Sequence, residues 1–469
     1  MKKTIKLFGI IAIAAVIGFG MTACSDDGGG KPNEVSVSAA DFDSTIKELR
    51  TVTGEHIITL TTDLIDYPGI SLSTAGANIT VKGNTASRKI TWKHSATSGD
   101  ECPLFYVKAG KLTLENITIS RGVGNTKDWP LLNALSGGTV EMGNGATLSY
   151  SESDKHTYGG VWLGDDGAFI MSGGTIENCK NGVETDKKNV EITISGGTIR
   201  NNNNGIGMWS TSEDCILTIT GGKISGNENR GVAVEGKNNK VIMSGGEIRE
   251  NGWNDGTNYK GGGIGLGVGN GEVTISGDAK IKENKNHGVQ ANVFGDGVKI
   301  NMDGGEISGN TRDGVQLQGQ KTLFTMTDGK IADNKRRGVN CSYSTAVGSR
   351  IIMSGGTIGG NANWGLLLGC ADVGFEKQIG AVIYGKNAGA DSNTEGAIRL
   401  RKDDLDTPSG DELKRLEGDA GSDKLYAAIL DKGSKIGTVS EDNGVAMVDF
   451  DVYSVPGIKT GSLQGTGWI

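Results

Sequence analysis

Glu184 and Asp186 lie two residues apart in the stretch Gly182-Val-Glu-Thr-Asp. On an extended strand this spacing puts both carboxylates on one face, with their Cα atoms about 6.6 Å apart. Hydrolysis of a glycosidic bond needs two carboxyl groups flanking that bond, roughly 6.5 to 9.5 Å apart when the reaction inverts configuration. Glu235 adds a third carboxylate two copies further along a repeat described below. Any Glu-x-Asp strand meets this condition, so no residue is assigned a catalytic role. Glu184, Asp186 and Glu235 are the candidates should the chain be a glycosidase. Asp165 and Asp166 form another pair, at a turn where Asp is ordinary.

The same strand phase carries a wider set of polar and aromatic residues: Trp162, Glu184, Asp186, Trp209, Glu235, Gln290, Asn292, Gln316, Gln318 and Asn340. Indole rings suit the CH faces of sugars, and amides and carboxylates suit their hydroxyls, so these are candidate ligand-binding residues. A plain solvated sheet face would carry similar residues, and that reading stays open. No Lys or Arg falls in the set. Lyase chemistry on a uronate needs a basic group beside the acid, and an acidic face would repel a polyuronate, so a lyase is not expected. No spacing of His, Cys, Asp or Glu marks a metal site, and neither metal nor cofactor is expected.

The element that must position these residues is a repeat. Met171-Ser-Gly-Gly-Thr-Ile returns as Ile194-Ser-Gly-Gly-Thr-Ile, Ile219-Thr-Gly-Gly-Lys-Ile, Met243-Ser-Gly-Gly-Glu-Ile, Met302-Asp-Gly-Gly-Glu-Ile, Met326-Thr-Asp-Gly-Lys-Ile and Met353-Ser-Gly-Gly-Thr-Ile, with a looser copy at Ile275. Met171 and Met353 are 182 residues and seven repeats apart, a mean of 26 per repeat. Before the Gly pair, Val190, Ile192 and Ile194 alternate with Glu191 and Thr193, the period of a strand with one buried face. A single Ile follows the pair: Ile176, Ile199, Ile224, Ile248, Ile281, Ile307, Ile331 and Ile358. A third segment follows another Gly, as in Gly231-Val-Ala-Val and Gly314-Val-Gln-Leu, and its alternation supplies the outward set named above. Three turn-separated strands per copy predict an all-β tube, a single-stranded parallel β-helix of right-handed sense.

Asn202, Asn227, Asn251, Asn284, Asn310, Asn334 and Asn361 stand three residues after the Ile, with Cys179 in the first copy. Stacked coils put equivalent residues about 4.8 Å apart, so this row is expected to form a structural amide ladder. Upstream, Phe42, Ile46 and Leu49 share one helical face, as a helix capping the first coil requires. The less regular copies His56-Ile-Ile-Thr-Leu, Asn78-Ile-Thr-Val and Lys111-Leu-Thr-Leu-Glu-Asn-Ile-Thr-Ile resemble the opening rungs of the pectate-lyase-like superfold. That resemblance implies a right-handed β-helix with any substrate lying across one stacked sheet. It implies no particular activity, because the superfold includes lyases, hydrolases and non-catalytic surface proteins. The His-containing motif of its polygalacturonase-like hydrolases is missing around His56, His94, His156 and His287.

The N-terminus carries Lys2, Lys3 and Lys6, an uncharged run from Leu7 to Met21, and then Thr22-Ala23-Cys24. A basic start, an apolar run too short to span a membrane and small residues before a cut site are the parts of an export signal. The last four residues resemble the lipobox of bacterial lipoproteins, with Met21 in place of the usual Leu. The resemblance implies lipidation of Cys24 and a partner in the membrane, on the outer membrane and at the cell surface. Residues 1–23 are thus expected to be a signal peptide, 24–36 a tether, 37–110 a cap with irregular first coils, 111–370 the repeats and 371–469 a C-terminal cap or appended module.

Composition agrees with a solenoid. The chain has 78 glycines in 469 residues, against a usual share of about 7 per cent, yet only six prolines and no Gly-X-Y period. Aromatics are 5%, and thin coils need few large side chains. A formal charge of -8 without a basic tract excludes nucleic acid as an expected partner. Of the six cysteines, Cys179, Cys215 and Cys341 fall at interior positions and are expected to be small core residues, while Cys102 and Cys370 have no assigned pairing. Two functions stay open: a non-catalytic surface protein contacting a polysaccharide or a host or cell-surface macromolecule, and a glycoside hydrolase.

Overall fold

The alternation before each Gly pair becomes a strand with one face inside the tube. In Glu191–Ile194, Ile192 and Ile194 are buried while Glu191 and Thr193 reach the surface. Ile192 lies in register between Phe169 of the coil before and Leu217 of the coil after, both parallel neighbours. The second strand, Thr198–Arg200, stacks Ile199 between Ile176 and Ile224. The third, Asn204–Met208, stacks Ile206 between Val183 and Val232. Repeated along the chain, these contacts build a parallel β-solenoid with three strands per coil, as the repeat predicts. The first and second strands share one sheet, and the third strands form a separate 13-stranded sheet. In three coils, Glu272–Lys282, Lys299–Ser308 and Leu323–Ala332, the first two strands run together, and they separate again at Arg350–Met353 and Thr357–Gly359.

The computed structural model describes residues 33–400, apart from 94–102, 124–128, 152, 268, 370–373, 378–380, 385–388 and 395, together with 438–442 and 445–449. The signal segment, Cys24, most of the tether, Cys102, Cys370 and His94 lie outside the described residues.

Two glycine positions explain why the repeat has the form it does. The second Gly of the pair turns the chain through a left-handed conformation, with φ +74° at Gly197. The Gly that opens the third strand is required by packing instead. A Cβ on Gly205 would stand 2.7 Å from Cγ2 of Ile224 and 3.0 Å from Nδ2 of Asn227 in the next coil.

The asparagine row is a continuous buried ladder. Oδ1 of Asn227 accepts from both the backbone N–H (3.0 Å) and Nδ2 (3.0 Å) of Asn202, and Nδ2 of Asn227 donates to Oδ1 of Asn251 at 2.8 Å. Each amide also donates to a carbonyl one coil back, Asn202 to Ile176 and Asn284 to Ile248. Cys179 opens the row by donating its backbone N–H to Asn202. The row extends one step beyond Asn361, to Asn393. Cys179, Cys215 and Cys341 are buried, and burial pushes the thiols of Cys179 and Cys215 upward.

Helix Ala39–Leu49 buries Phe42, Ile46 and Leu49, the face that amphipathicity picks out, and Phe42 meets Tyr67 edge-on at 5.5 Å. The ends of the solenoid differ from the expected boundaries. Strand Asn33–Val37 pairs in register with His56–Leu60, so the first strand starts within the stretch read as tether. At the other end, Gly374–Lys377, Val382–Ile383 and Gly396–Leu400 add a further coil past residue 370. Its spacing departs from the repeat, which hides it in the sequence. Thr438–Asp442 and Val445–Asp449 form an antiparallel hairpin.

Candidate functional site

The outer face of the third-strand sheet carries three stacked rows. The middle row is fixed by strand register: Asn133, Trp162, Glu184, Gly207, Ala233, Gly265, Gln290, Gln316 and Asn340 lie one above another. Beside it, Asp186, Trp209, Glu235, Asn292 and Gln318 follow two residues later, each just past the end of its strand. On the opposite edge runs the residue just before each strand-opening Gly: Asn181, Asn204, Arg230, His287, Asp313, Arg337 and Trp364.

This third row is absent from the sequence reading, which counted alternation only after the Gly. The backbone kinks at that Gly, whose missing Cβ is directed at the interior Ile and Asn of the next coil, so the residue before it also points outward. Arg230 shows this directly. Its guanidinium lies over Gly265, where a Cβ would be 2.6 Å from Nε, and it pairs with Glu235 at 3.0 Å. The expectation that no cation stands on this face is therefore corrected by Arg230 and Arg337. The signal was available, because aligning the copies on the Gly shows a polar or aromatic residue before it in almost every coil.

Around Glu184 the side chains lie flat. The Trp209 ring covers Gly207 of its own strand, where a Cβ would be 2.4 Å from Cζ2, and its Nε1 donates to Glu184 at 3.0 Å. Asn181 donates to the same carboxylate oxygen, and Asn204 donates to Asn181 at 3.0 Å. Burial, with a small addition from the charge of Asp186, raises the Glu184 carboxyl above the usual range, although both hydrogen bonds oppose this. Asp186 lies 3.4 Å from Lys187, and its Oδ1 is buried without a hydrogen-bond partner. Lys187 in turn stands 5.8 Å from the ring of Trp162.

Further along, Gln290 donates to Gln316 at 2.7 Å and to Gln318 at 3.2 Å, and Gln316 donates to the Tyr343 hydroxyl at 2.8 Å. Gln316 and Asn340 are 1% and 0% exposed, so these two are not open to a ligand as their outward phase implied. Their neighbours close over them: Asn340 donates to Asp313 at 3.0 Å and accepts from Ser342 at 2.8 Å. Asn292 spends its Oδ1 on the backbone N–H of Phe294, which orders a turn.

Next to Asn340, the buried His287 accepts the backbone N–H of Asp313 at Nδ1, 3.2 Å away, and lies 3.5 Å from the Asp313 carboxylate. Burial pushes its pKa down to about 4; Asp313 opposes this, and Arg312, Arg336 and Arg337 reinforce it. The coil below carries an insertion, the antiparallel hairpin Trp253–Asn254 with Tyr259–Lys260, turned by Asp255 accepting from the backbone of Thr257 and Asn258. Tyr259 lies 5.1 Å from the Arg312 guanidinium, and Trp253 is exposed. At the far edge of the sheet, Phe294 is 73% exposed. No cluster among the described residues could hold a metal ion.

Fold and face together define a parallel β-helix protein with one polar, aromatic-bearing side. No protein-family model and no curated protein matches the chain. Among solved structures it is similar to the periplasmic alginate epimerase AlgG, at 12% identity over 79% of this chain and 83% of that one, with a TM-score of 0.43.

Proposed function

We propose that the chain is an exported, lipid-anchored β-helix at the cell surface that binds a glycan along the outer face of its third-strand sheet without cleaving it. The observation that carries this reading is the flat seating of Trp209 on Gly207, its nitrogen fixed by Glu184. A ring held against a sheet is a preordered platform for the CH face of a sugar, and Trp162, Glu235 and Gln290 extend the polar and aromatic surface on either side. Two of the three candidate carboxylates are engaged within the protein, Glu184 by Trp209 and Asn181 and Glu235 by Arg230.

A second reading, a glycoside hydrolase, is favoured by one observation. Glu184 is raised by burial while Asp186 stands beside it, the asymmetry that a general acid and its partner carboxylate need. A glycan array, paired with a reducing-sugar assay on every polysaccharide that binds, separates the two. Binding lost in Trp162→Ala and Trp209→Ala with no product supports the binding protein. Product lost in Glu184→Gln supports the enzyme, and no binding to any glycan removes both. Anchoring is tested separately: lipid labelling should vanish in Cys24→Ala, and protease shaving of intact cells should release the wild-type chain.

A further inference from the structure

Arg312 and Arg336 occupy the same position in successive coils, two residues before the Gly that opens the third strand, about 4.8 Å apart in the stack. Neither has a carboxylate within ion-pair distance among the described residues. Neighbouring arginines are neutralised, Arg230 by Glu235 and Arg249 by Glu250 and Glu283. Asp313, next to Arg312 in sequence, is fully buried, receives Asn340 and lies 3.5 Å from His287 and 4.0 Å from Arg337. His287 beneath them is neutral at physiological pH and adds no charge of its own. Two like charges are thus stacked on a sheet edge of a chain whose net charge is -8.

A second, independent feature marks the same place. The Trp253–Lys260 hairpin interrupts the repeat beside these arginines, and its Tyr259 ring holds the Arg312 guanidinium. Trp253 and Lys260 pair at the base of the hairpin on the face opposite Tyr259, with Lys260 5.9 Å from the indole ring. Planar guanidiniums bind carboxylate and sulfate in forked geometry, and a ring against one of them holds that fork in place. We propose that Arg312 and Arg336, with Tyr259 against the first of them, bind an anionic group carried on a glycan, either a uronic carboxylate or a sulfate ester. This deepens the glycan-binding reading and rests on it.

The test measures binding of the lipid-free mature chain to polygalacturonate and its methyl ester, and to dextran sulfate and dextran. Each charged polymer should bind at least about tenfold more tightly than its uncharged counterpart at low salt. The double variant Arg312→Gln with Arg336→Gln should erase that difference while leaving uncharged binding unchanged, and Tyr259→Leu should reduce it in part. The charged polymer that gains more identifies the carboxylate or the sulfate. Charged and uncharged polymers binding alike, with dextran or ester binding still lost in Trp209→Ala, would overturn this inference and leave the glycan face standing. A double variant that keeps the full charge preference also overturns it. No binding to any of the four polymers, or to any glycan on the array, sinks both readings.

Discussion

Nε1 of Trp209 donates to the carboxylate of Glu184 across one coil, at 3.0 Å, and this bond fixes an indole flat on the sheet. Trp209→Ala removes both the platform and one of the two donors to a largely buried carboxylate. We expect glycan affinity to fall about tenfold or more and stability to fall by about 1–3 kcal/mol. Trp209→Phe restores a ring without the donor, so it should recover part of the binding but not the stability. Calorimetric titration and urea denaturation of the three proteins check this.

The raised carboxyl of Glu184 carries a sign. A folded-state pKa above the unfolded one means that the folded chain holds the proton more tightly. Its contribution is fully present below the unfolded value near 4.5 and is lost as pH rises through the folded value. Glu184→Gln should therefore flatten the pH dependence of stability on the neutral side of pH 4.5. Urea midpoints measured from pH 4 to pH 7 that fall equally in both proteins would contradict the assignment.

The ladder makes an equally direct claim. Asn284 gives Oδ1 to two donors from Asn251 and gives Nδ2 to Asn310 and to the Ile248 carbonyl. Asn284→Ala leaves these buried groups unpaired and should cost about 2–4 kcal/mol, near the upper end for a lost hydrogen-bond centre. Asn284→Asp keeps the acceptor but buries a charge that cannot donate, so it should be no better. Thermal unfolding of both variants against wild type decides the matter.

How far the fold could be read from sequence depended on whether each position obeyed the period of 2. Val190, Ile192 and Ile194 obey it, and so the inward faces, the single Ile and the Asn row were legible. Trp162, Glu184 and Gln290 were likewise placed on the outer face by counting from the Gly. Arg230, His287, Asp313 and Arg337 were missed because the chain kinks at that Gly, and alternation carried through the kink assigns them to the wrong side. Gln316 and Asn340 have the outward phase but are covered by Tyr343, Asp313 and their neighbours, a tertiary fact that no local pattern encodes. The hairpin carries its own turn signal, Asn254-Asp255-Gly256 between two aromatics, inside a coil whose length departs from the repeat.

Overpacking and left-handed backbone strain can be told apart by substituting two different glycines. A Cβ on Gly314 would stand 2.7 Å from Cγ2 of Ile331 and 2.8 Å from Nδ2 of Asn334, so Gly314→Ala should cost about 1–3 kcal/mol by overpacking. Gly137 meets nothing within 4 Å, but its φ is +84°, so Gly137→Ala should cost about 1 kcal/mol through the backbone alone. Asn in place of Gly137 tolerates the left-handed conformation and should recover most of that loss, whereas Asn at Gly314 should be worse than Ala. Denaturation midpoints of the four variants test both mechanisms at once.

We expect His287 to make the C-terminal half of the tube sensitive to acid. Its folded pKa of about 4 lies below the ordinary 6.5, because burial among guanidiniums disfavours the imidazolium. The unfolded chain therefore binds the proton first as pH falls. The contribution is complete above pH 6.5, declines through the interval between 6.5 and 4, and is gone below it. That gap corresponds to about 3 kcal/mol. His287→Gln keeps an acceptor for the Asp313 N–H without a titrating group, so it should lose less stability than wild type between pH 7 and pH 4. Parallel slopes for the two proteins across that interval would show that His287 is protonated in the folded tube and that the burial argument fails.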